Sequence, residues 1–161
     1  EKNPLTPHIA DLIEMADSTI YDLRNYAATL KDNSPMAGEF LIDAITKQTE
    51  RLRRFYGIDV GIRSEISNEL KGRLAAEAFH IVAEGLSNIL RHTTAKRAWL
   101  GLNSQGPRLW LEIANESPGA KQGAALFTPR SIAARTRSLG GTCVVERDSL
   151  GYTIVRIGIP L

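Results

Sequence analysis

A carboxylate, an amide and a guanidinium recur at helical spacing near the middle of this 161-residue chain. Glu84 and Asn88 are four residues apart, and Arg91 follows three residues later. At that spacing the three side chains are neighbours on one helix. Carboxylate and amide oxygens suit a hydrated divalent cation, and a guanidinium one turn further on suits the phosphates that the cation carries. The spacing therefore favours the binding of a magnesium-bound nucleotide.

An apolar stripe around these residues predicts the helix that carries them. Apolar positions recur at steps of three and four residues over 74–89, which is the period of an amphipathic helix. We expect the stripe to pack against a sheet or a second helix. His80 precedes Glu84 by four residues. However, the ladder of His80, Glu84 and Asn88 lacks the further nitrogen or sulfur ligands that zinc requires, so a zinc site is rejected.

Periodicity along the rest of the chain predicts a mixed α/β fold. A long amphipathic helix is expected from Ile9 to Leu30, and a second from Phe40 to Phe55 that is stopped by Gly57. Strands are expected at 58–63, 99–102, 109–113, 143–146 and 153–159, a short helix at 131–138, a hairpin loop at 103–107 and a turn at 148–151. This order predicts a mixed sheet with helices on one face.

Composition excludes several classes of protein. The 20 basic residues nearly balance the 18 acidic residues, which favours neither disorder nor a nucleic-acid partner. Cys143 is the single cysteine, so an intrachain disulfide is impossible and a reducing, cytoplasmic compartment fits. No run approaches the roughly eighteen apolar residues of a membrane span, so we expect no membrane contact by this segment.

In residues 78–102, 131–161 and 18–32 the chain resembles sensor histidine kinases of the nitrate-sensor-like subfamily, which belong to the GHKL ATPases. Residues 78–102, AFHIVAEGLSNILRHTTAKRAWLGL, resemble the N box of these kinases. Residues 131–161, SIAARTRSLGGTCVVERDSLGYTIVRIGIPL, resemble their C-terminal tail, and residues 18–32, STIYDLRNYAATLKD, resemble the end of their second dimerisation helix. The order and spacing of all three stretches agree with the family.

The resemblance implies a fold, a domain division and ligands. The fold would be a two-layer α/β sandwich of the Bergerat, or GHKL, type, preceded by one or two helices of the dimerisation region. Residues 1–34 would belong to that region and residues 35–161 to the ATP-binding catalytic domain. ATP and magnesium are the implied cofactors. The implied partners are a response regulator and, in the full-length protein, a second copy of the chain.

The family's phosphoacceptor histidine is expected outside this chain. In the family it is followed by an acidic residue and stands several turns before the Leu-Arg pair seen here at Leu23 and Arg24. His8 is instead followed by Ile9 and Ala10. The segment would then begin in the second dimerisation helix and be inactive as a kinase alone, as a cytoplasmic protein or the cytoplasmic portion of a membrane-anchored sensor.

The N-box match assigns roles to four residues. Glu84 resembles the glutamate that orients or deprotonates the attacking group, and Asn88 resembles the magnesium-coordinating asparagine. Arg91 and His92 match a basic pair that meets the nucleotide phosphates. Spacing alone leaves simpler interpretations open: Glu84 and Asn88 as solvated helix residues, and His92 as a charge that interacts with the dipole at the helix C-terminus.

The base-binding box departs from the family pattern. Its Asp-x-Gly-x-Gly motif aligns with residues 115–119, where Asn115 replaces the aspartate that accepts from the adenine amino group. Ser117 replaces the first glycine, and Gly119 is retained. Thr153 matches the family's threonine on the adenine side. Because an asparagine oxygen still accepts a hydrogen bond, the resemblance implies weakened but retained adenine recognition.

The lid that follows is also altered. The family's Gly-Leu-x-Gly-Met aligns with residues 128–132, so both glycines are lost and Pro129 stiffens the turn. We expect Thr128 or Ser131 to cap the short helix, whose N-terminal amides suit an anion. Arg130 would supplement those amides. The alternative is a degenerate pocket in which the fold only packs.

Three functions follow. The first is the ATP-binding catalytic region of a two-component sensor histidine kinase, which transfers the γ-phosphate of ATP to a histidine outside this chain and thence to a response-regulator aspartate. The second is a degenerate GHKL domain that acts as a non-enzymatic, protein-binding regulatory module. The third, an anti-sigma-type serine kinase with the same fold, accounts for the N box but less well for the Leu-Arg helix and the Leu-Gly-Gly tail.

Overall fold

The computed structural model describes residues 38–66, 70, 72–117 and 129–161, and the single positions Ala16 and Ile20. In chain order the elements are α1 (Gly38–Tyr56), β1 (Asp59–Glu65), α2 (Gly72–His92), β2 (Arg97–Gln105), β3 (Arg108–Glu116), α3 (Arg130–Ser138), β4 (Thr142–Arg147) and β5 (Tyr152–Pro160). Apart from those two positions, the helix predicted from Ile9 to Leu30 lies outside the described residues. None of the described helices combines the length and apolar character that a membrane span requires.

The five strands form one mixed sheet in the order β1-β2-β3-β5-β4. Strand β1 runs parallel to β2, and the other neighbouring pairs are antiparallel. On β3 the alternate residues Leu109, Leu111 and Ile113 are buried and form part of the core under the helices. The predicted two-layer α/β sandwich with helices on one face is confirmed.

Helix α2 packs directly over β3. Most of its apolar stripe is buried, and Gly85 lies against Ile113 of β3. A Cβ atom added at Gly85 would stand 2.3 Å from Cδ1 of Ile113 and 3.2 Å from its Cγ2. A larger residue would push α2 away from the sheet. The helix that carries the predicted site is therefore held close to the middle strand.

Helix α3 is anchored to the sheet at both its apolar face and its C-terminal end. Ile132 and Thr136 are completely buried. The helix ends at Leu139, and Gly140 follows with φ 71°, a left-handed conformation that favours glycine. A Cβ atom added at Gly141 would stand 2.5 Å from the carbonyl oxygen of Gly158 in β5. The Leu-Gly-Gly sequence thus fixes the close approach of α3 to β5.

The predicted ends of β1, β2 and β3 were wrong, because each strand runs further than expected, β3 to Glu116 instead of residue 113. Residues 103–105 were expected in a hairpin loop but continue β2, because they pair with 108–110 of β3. The loop is only Gly106 and Pro107, with Gly106 at φ 57°. Strand β1 extends to Glu65, beyond the predicted end at residue 63, because Glu65 pairs with Asn103 of the lengthened β2. Pairing across the sheet, rather than hydrophobic alternation, decides where these strands end.

The sheet face opposite the helices carries two partly exposed tryptophans. Trp99 is 38% exposed and Trp110 is 41% exposed. Trp99 lies against Gly61 of β1, and Trp110 lies against Gly158 of β5. Between them is an open depression of about 530 Å³, also lined by two arginines and two glutamates whose formal charges cancel: Arg63, Arg156, Glu65 and Glu112. We refer to this surface as the open face.

Candidate functional site

A hydrogen bond joins the two segments that the sequence predicts to meet the nucleotide phosphates. These are the N-box residues on α2 and the start of α3, and we refer to them together as the phosphate end of the site. The hydroxyl of Ser131 donates to Oε1 of Glu84, 47 residues away in the chain. Of the two residues predicted to cap α3, Ser131 is not the capping residue, and Thr128 lies outside the described residues. Pro129 is the N-cap, it makes no side-chain cap bond, and Ser131 is already inside the helix. Because Ser131 faces α2 instead, its hydroxyl links the first turn of α3 to the N-box helix.

The other N-box residues follow Glu84 along α2. Asn88 is half-buried one turn later, and Arg91 and His92 are exposed in the last turn of the helix. Basic side chains at a helix C-terminus are favourable whether or not they meet a phosphate. The phosphate roles of Arg91 and His92 therefore stay predictions, as does magnesium coordination by Asn88.

Asn115 and Thr153 lie opposite each other on the helix-covered face of the sheet. They pair directly between β3 and β5, so their side chains emerge on the same face. Ile113 packs under Gly85. Asn115 is the next residue of β3 on the same face, about 7 Å further along the strand. The hydroxyls of Ser117 and Thr153 are 2.7 Å apart. The strand pairing therefore brings the base-box residues together, on the same layer of the fold as the N-box helix.

The amide of Asn115 has a structural partner that an aspartate would lack. Its Nδ2 donates to the carbonyl oxygen of Glu116 at 2.9 Å, and Asn115 as a whole is only 7% exposed. That bond leaves Oδ1 as the remaining acceptor. A carboxylate here would lose the donated bond and face a carbonyl oxygen in a buried place. The local backbone thus favours asparagine at this position.

Glu116 fastens the connection between α2 and β2 to the end of β3. Its Oε1 accepts from the backbone N–H groups of Lys96 and Arg97, at 3.0 and 2.9 Å, and its Oε2 accepts from Nε of Arg97 at 3.1 Å. The bond from the Lys96 N–H, followed by the contacts with Arg97, lowers the pKa of Glu116. Sequence reasoning missed this role, although an acid inside the altered base box was a signal.

A second polar contact between α2 and α3 was also missed. Nη1 of Arg135 lies 2.7 Å from Oε2 of Glu77, whose side chain is only 12% exposed. Nε of Arg73 lies 3.9 Å from the same carboxylate. The signal was the seven-residue spacing of Glu77 and Glu84, which places two carboxylates on one helix face.

His80 lies on that same face of α2, between the two glutamates in sequence. Burial is the main cause that lowers its pKa below the ordinary value of 6.5, and the positive charge of Arg135 lowers it further. Glu77 acts in the opposite direction. Burial beside the ion pair of Arg135 and Glu77 therefore accounts for His80 as a structural side chain whose neutral form is favoured. Among the residues that the structure describes, no three His, Cys, Asp or Glu side chains are grouped to hold a metal ion.

Replacing His80 by glutamine should reduce the acid sensitivity of the fold. Because the pKa of His80 is lowered in the folded state, the unfolded chain binds more protons as the pH falls below 6.5. The stability that the neutral side chain contributes is therefore full above 6.5 and is lost as the pH falls through the folded-state pKa. Denaturant unfolding between about pH 8 and about pH 5 measures this slope. Equal slopes in the wild type and the variant would contradict the assignment.

Of the remaining predicted residues, the structure describes only Arg130. Gly119 and Thr128 lie outside the described residues. Arg130 is exposed as the first residue of α3.

Magnesium keeps several water ligands and needs one or two protein oxygens. A half-buried amide at Asn88, one turn from the carboxylate that Ser131 holds, fits that requirement.

Comparison with known proteins identifies the fold. No family model and no curated protein matches the sequence. The histidine kinase AdeS of Acinetobacter baumannii is similar in structure with a TM-score of 0.62 at 15% identity, over 99% of this chain and 85% of that one. The ATP-binding domain of PrrB from Mycobacterium tuberculosis gives a TM-score of 0.59 at 18% identity, over 78% of this chain and 95% of that one.

A third similar structure is the blue-light-activated histidine kinase EL346 of Erythrobacter litoralis. Its TM-score is 0.63 at 17% identity, over 96% of this chain and 59% of that one. Identities this low establish the fold alone. The chain has the α/β fold of the GHKL-type ATP-binding domains of sensor histidine kinases. The nitrate-sensor-like subfamily and the domain boundary after residue 34 stay predictions.

Proposed function

We propose that this chain is the ATP-binding catalytic region of a two-component sensor histidine kinase. The reaction is transfer of the γ-phosphoryl group of ATP to a histidine outside this chain, and from there to an aspartate of a response regulator. The contact of Ser131 with Glu84 carries the proposal. It brings the first turn of α3 onto the N-box helix, so that residues from both predicted phosphate-binding segments meet in a kinase-like fold.

Each residue at the phosphate end has a distinct part. The Glu84 carboxylate orients the attacking group or accepts its proton. Asn88 offers an amide oxygen to magnesium, which when bound offsets the charge of the phosphates. Arg91 and Arg130 supply positive charge, and His92 supplies an imidazole N–H donor, near the end of α2 and the start of α3, where phosphate oxygens would be stabilised.

The base end of the site is formed by the C-terminal end of β3 and the start of β5. Oδ1 of Asn115 accepts from the adenine amino group, while its Nδ2 stays bound to the Glu116 carbonyl. Thr153, bonded to Ser117, borders the base on the same face of the sheet. Gly119 and Thr128 belong to the proposal through the family resemblance alone.

The proposal includes two protein partners, a second copy of the chain and a response regulator. A second copy of the chain would supply the dimer, with residues 1–34 in the dimerisation region and residues 35–161 in the catalytic domain. A response regulator would receive the phosphoryl group. The chain would act in the cytoplasm, either as a free protein or as part of a membrane-anchored sensor.

Two observations favour a second function. The amide of Asn115 is partly committed to a backbone carbonyl, and the alignment leaves no glycine at 128–132. Both changes remove features with which the family binds nucleotide. A degenerate GHKL domain that binds a protein partner without catalysis accounts for these losses.

Calorimetric titration of the chain with ADP and a non-hydrolysable ATP analogue, each with magnesium, separates the two functions. The kinase proposal expects saturable binding of both nucleotides and weaker binding of GDP, because guanine lacks the amino group that Asn115 would accept from. It also expects nucleotide to raise the thermal unfolding midpoint by mass action. Absence of both heat and stabilisation would favour the regulatory module.

A further inference from the structure

Two polar contacts in a line join α3 to α2. Ser131 and Arg135 are one turn apart on α3, and their partners Glu84 and Glu77 are two turns apart on α2. Residues at these spacings share one face of their helix. The later residue of α3 meets the earlier residue of α2, so the two helices run antiparallel along this line. We refer to these four residues as the helix clasp.

The clasp sets an orientation that apolar burial does not. Ile132 and Thr136 are fully buried and hold α3 on the sheet, but burial of apolar surface is non-directional. The contact between Arg135 and Glu77 is a charge-assisted hydrogen bond, which has a narrow geometry. Because the Glu77 side chain is only 12% exposed, salt screens the contact less than it would at the surface. This ion pair therefore fixes the rotation of α3 about its own axis.

We propose that Glu77 and Arg135 are positioning residues for the phosphate end of the nucleotide site. By fixing the rotation of α3 they place Ser131 on Glu84 and bring Arg130 to the same end of the site. They touch neither nucleotide nor magnesium and act through the first turn of α3. The inference rests on the proposed function for its ligand, and on the two observed contacts for its geometry.

Affinity for magnesium-ADP, measured by calorimetry, tests the proposal. Arg135→Gln should weaken binding by roughly tenfold, as loss of an outer supporting contact commonly does. The matched control is Arg137→Gln, which removes the same charge from an exposed position on the same helix and should leave affinity unchanged. The exchanged pair, Glu77→Arg with Arg135→Glu, should recover most of the lost affinity. A general effect of charge would move both arginine variants equally.

Hydrogen exchange provides a measurement that needs no nucleotide. The amide of Ala133 donates to the carbonyl of Pro129 in the first turn of α3. Arg135→Gln should speed its exchange by about tenfold, because loss of the ion pair loosens that turn. Arg135→Lys, which keeps the charge but not the planar fork, should show a smaller effect in the same direction and guards against a variant that fails to fold.

The outcomes separate the two proposals. Equal affinity losses for Arg135→Gln and Arg137→Gln, or no recovery in the exchanged pair, would overturn the positioning role. A wild-type chain that binds no nucleotide would overturn the proposed function instead. Exchange at Ala133 would then still decide the clasp: faster exchange in Arg135→Gln supports it, and unchanged exchange rejects it.

Discussion

Replacing Asn88 by alanine should abolish the magnesium-dependent part of nucleotide affinity while leaving the free energy of unfolding nearly unchanged. The variant removes the amide oxygen that is placed one turn from Glu84, so the cation loses its protein ligand. Alanine is a better helix former than asparagine by about 0.7 kcal/mol at most, which offsets any small loss of packing at this half-buried position. Calorimetric titration with ADP in the presence of magnesium, and again with a chelator, measures the difference.

Ser87→Ala is the matched control for that experiment. Ser87 is the preceding residue on α2, is similarly half-buried, and falls about 100° away around the helix. It should keep the full magnesium dependence. If Asn88→Ala and the wild type respond to magnesium equally, Asn88 is not a ligand and the metal assignment fails.

Replacing Gly141 by alanine should lower the free energy of unfolding by about 3 kcal/mol, at the upper end of what overpacking costs. The added Cβ would stand 2.5 Å from the carbonyl oxygen of Gly158 and 3.0 Å from Cγ2 of Thr136. The first contact is with backbone, which cannot turn aside as a side chain can. Denaturant unfolding followed by circular dichroism measures the change.

Gly61→Ala provides the comparison for Gly141→Ala. An added Cβ at Gly61 would meet only the ring of Trp99, at an ordinary 3.4 Å. Its effect should be within about 1 kcal/mol of zero, because alanine also loses less conformational freedom than glycine on folding. Similar losses in the two variants would show that close approach of α3 to β5 is not what the Leu-Gly-Gly sequence provides.

Local patterns in the sequence were enough to predict the layers of the fold. The helical stripe over 74–89 and the alternation over 58–63 depend on near neighbours, and both the helix α2 and the strand β1 are present. Strand ends were predicted less well. Residues 103–105 are polar and look like a loop, but pairing with β3 extends the strand through them. Pairing partners are distant in sequence, so local composition does not reveal them.

The site shows the same division between local and distant information. The spacing of Glu84 and Asn88 follows from one helix and was predictable. Ser131 near a helix start resembles a cap, and its true partner on α2 depends on how two helices pack. Asn115 was interpreted as a loss relative to aspartate. The donated bond to Glu116 that favours an amide depends on local backbone geometry that the sequence does not display.

The open face has an optical consequence. Both tryptophans of the chain, Trp99 and Trp110, lie there, on the side of the sheet away from α2 and α3. Indole emission responds to the immediate surroundings of the ring, and nucleotide on the helix side would leave those surroundings intact. Intrinsic fluorescence should therefore follow unfolding of the domain while remaining nearly silent to ligand, so the same sample can report stability at any degree of saturation.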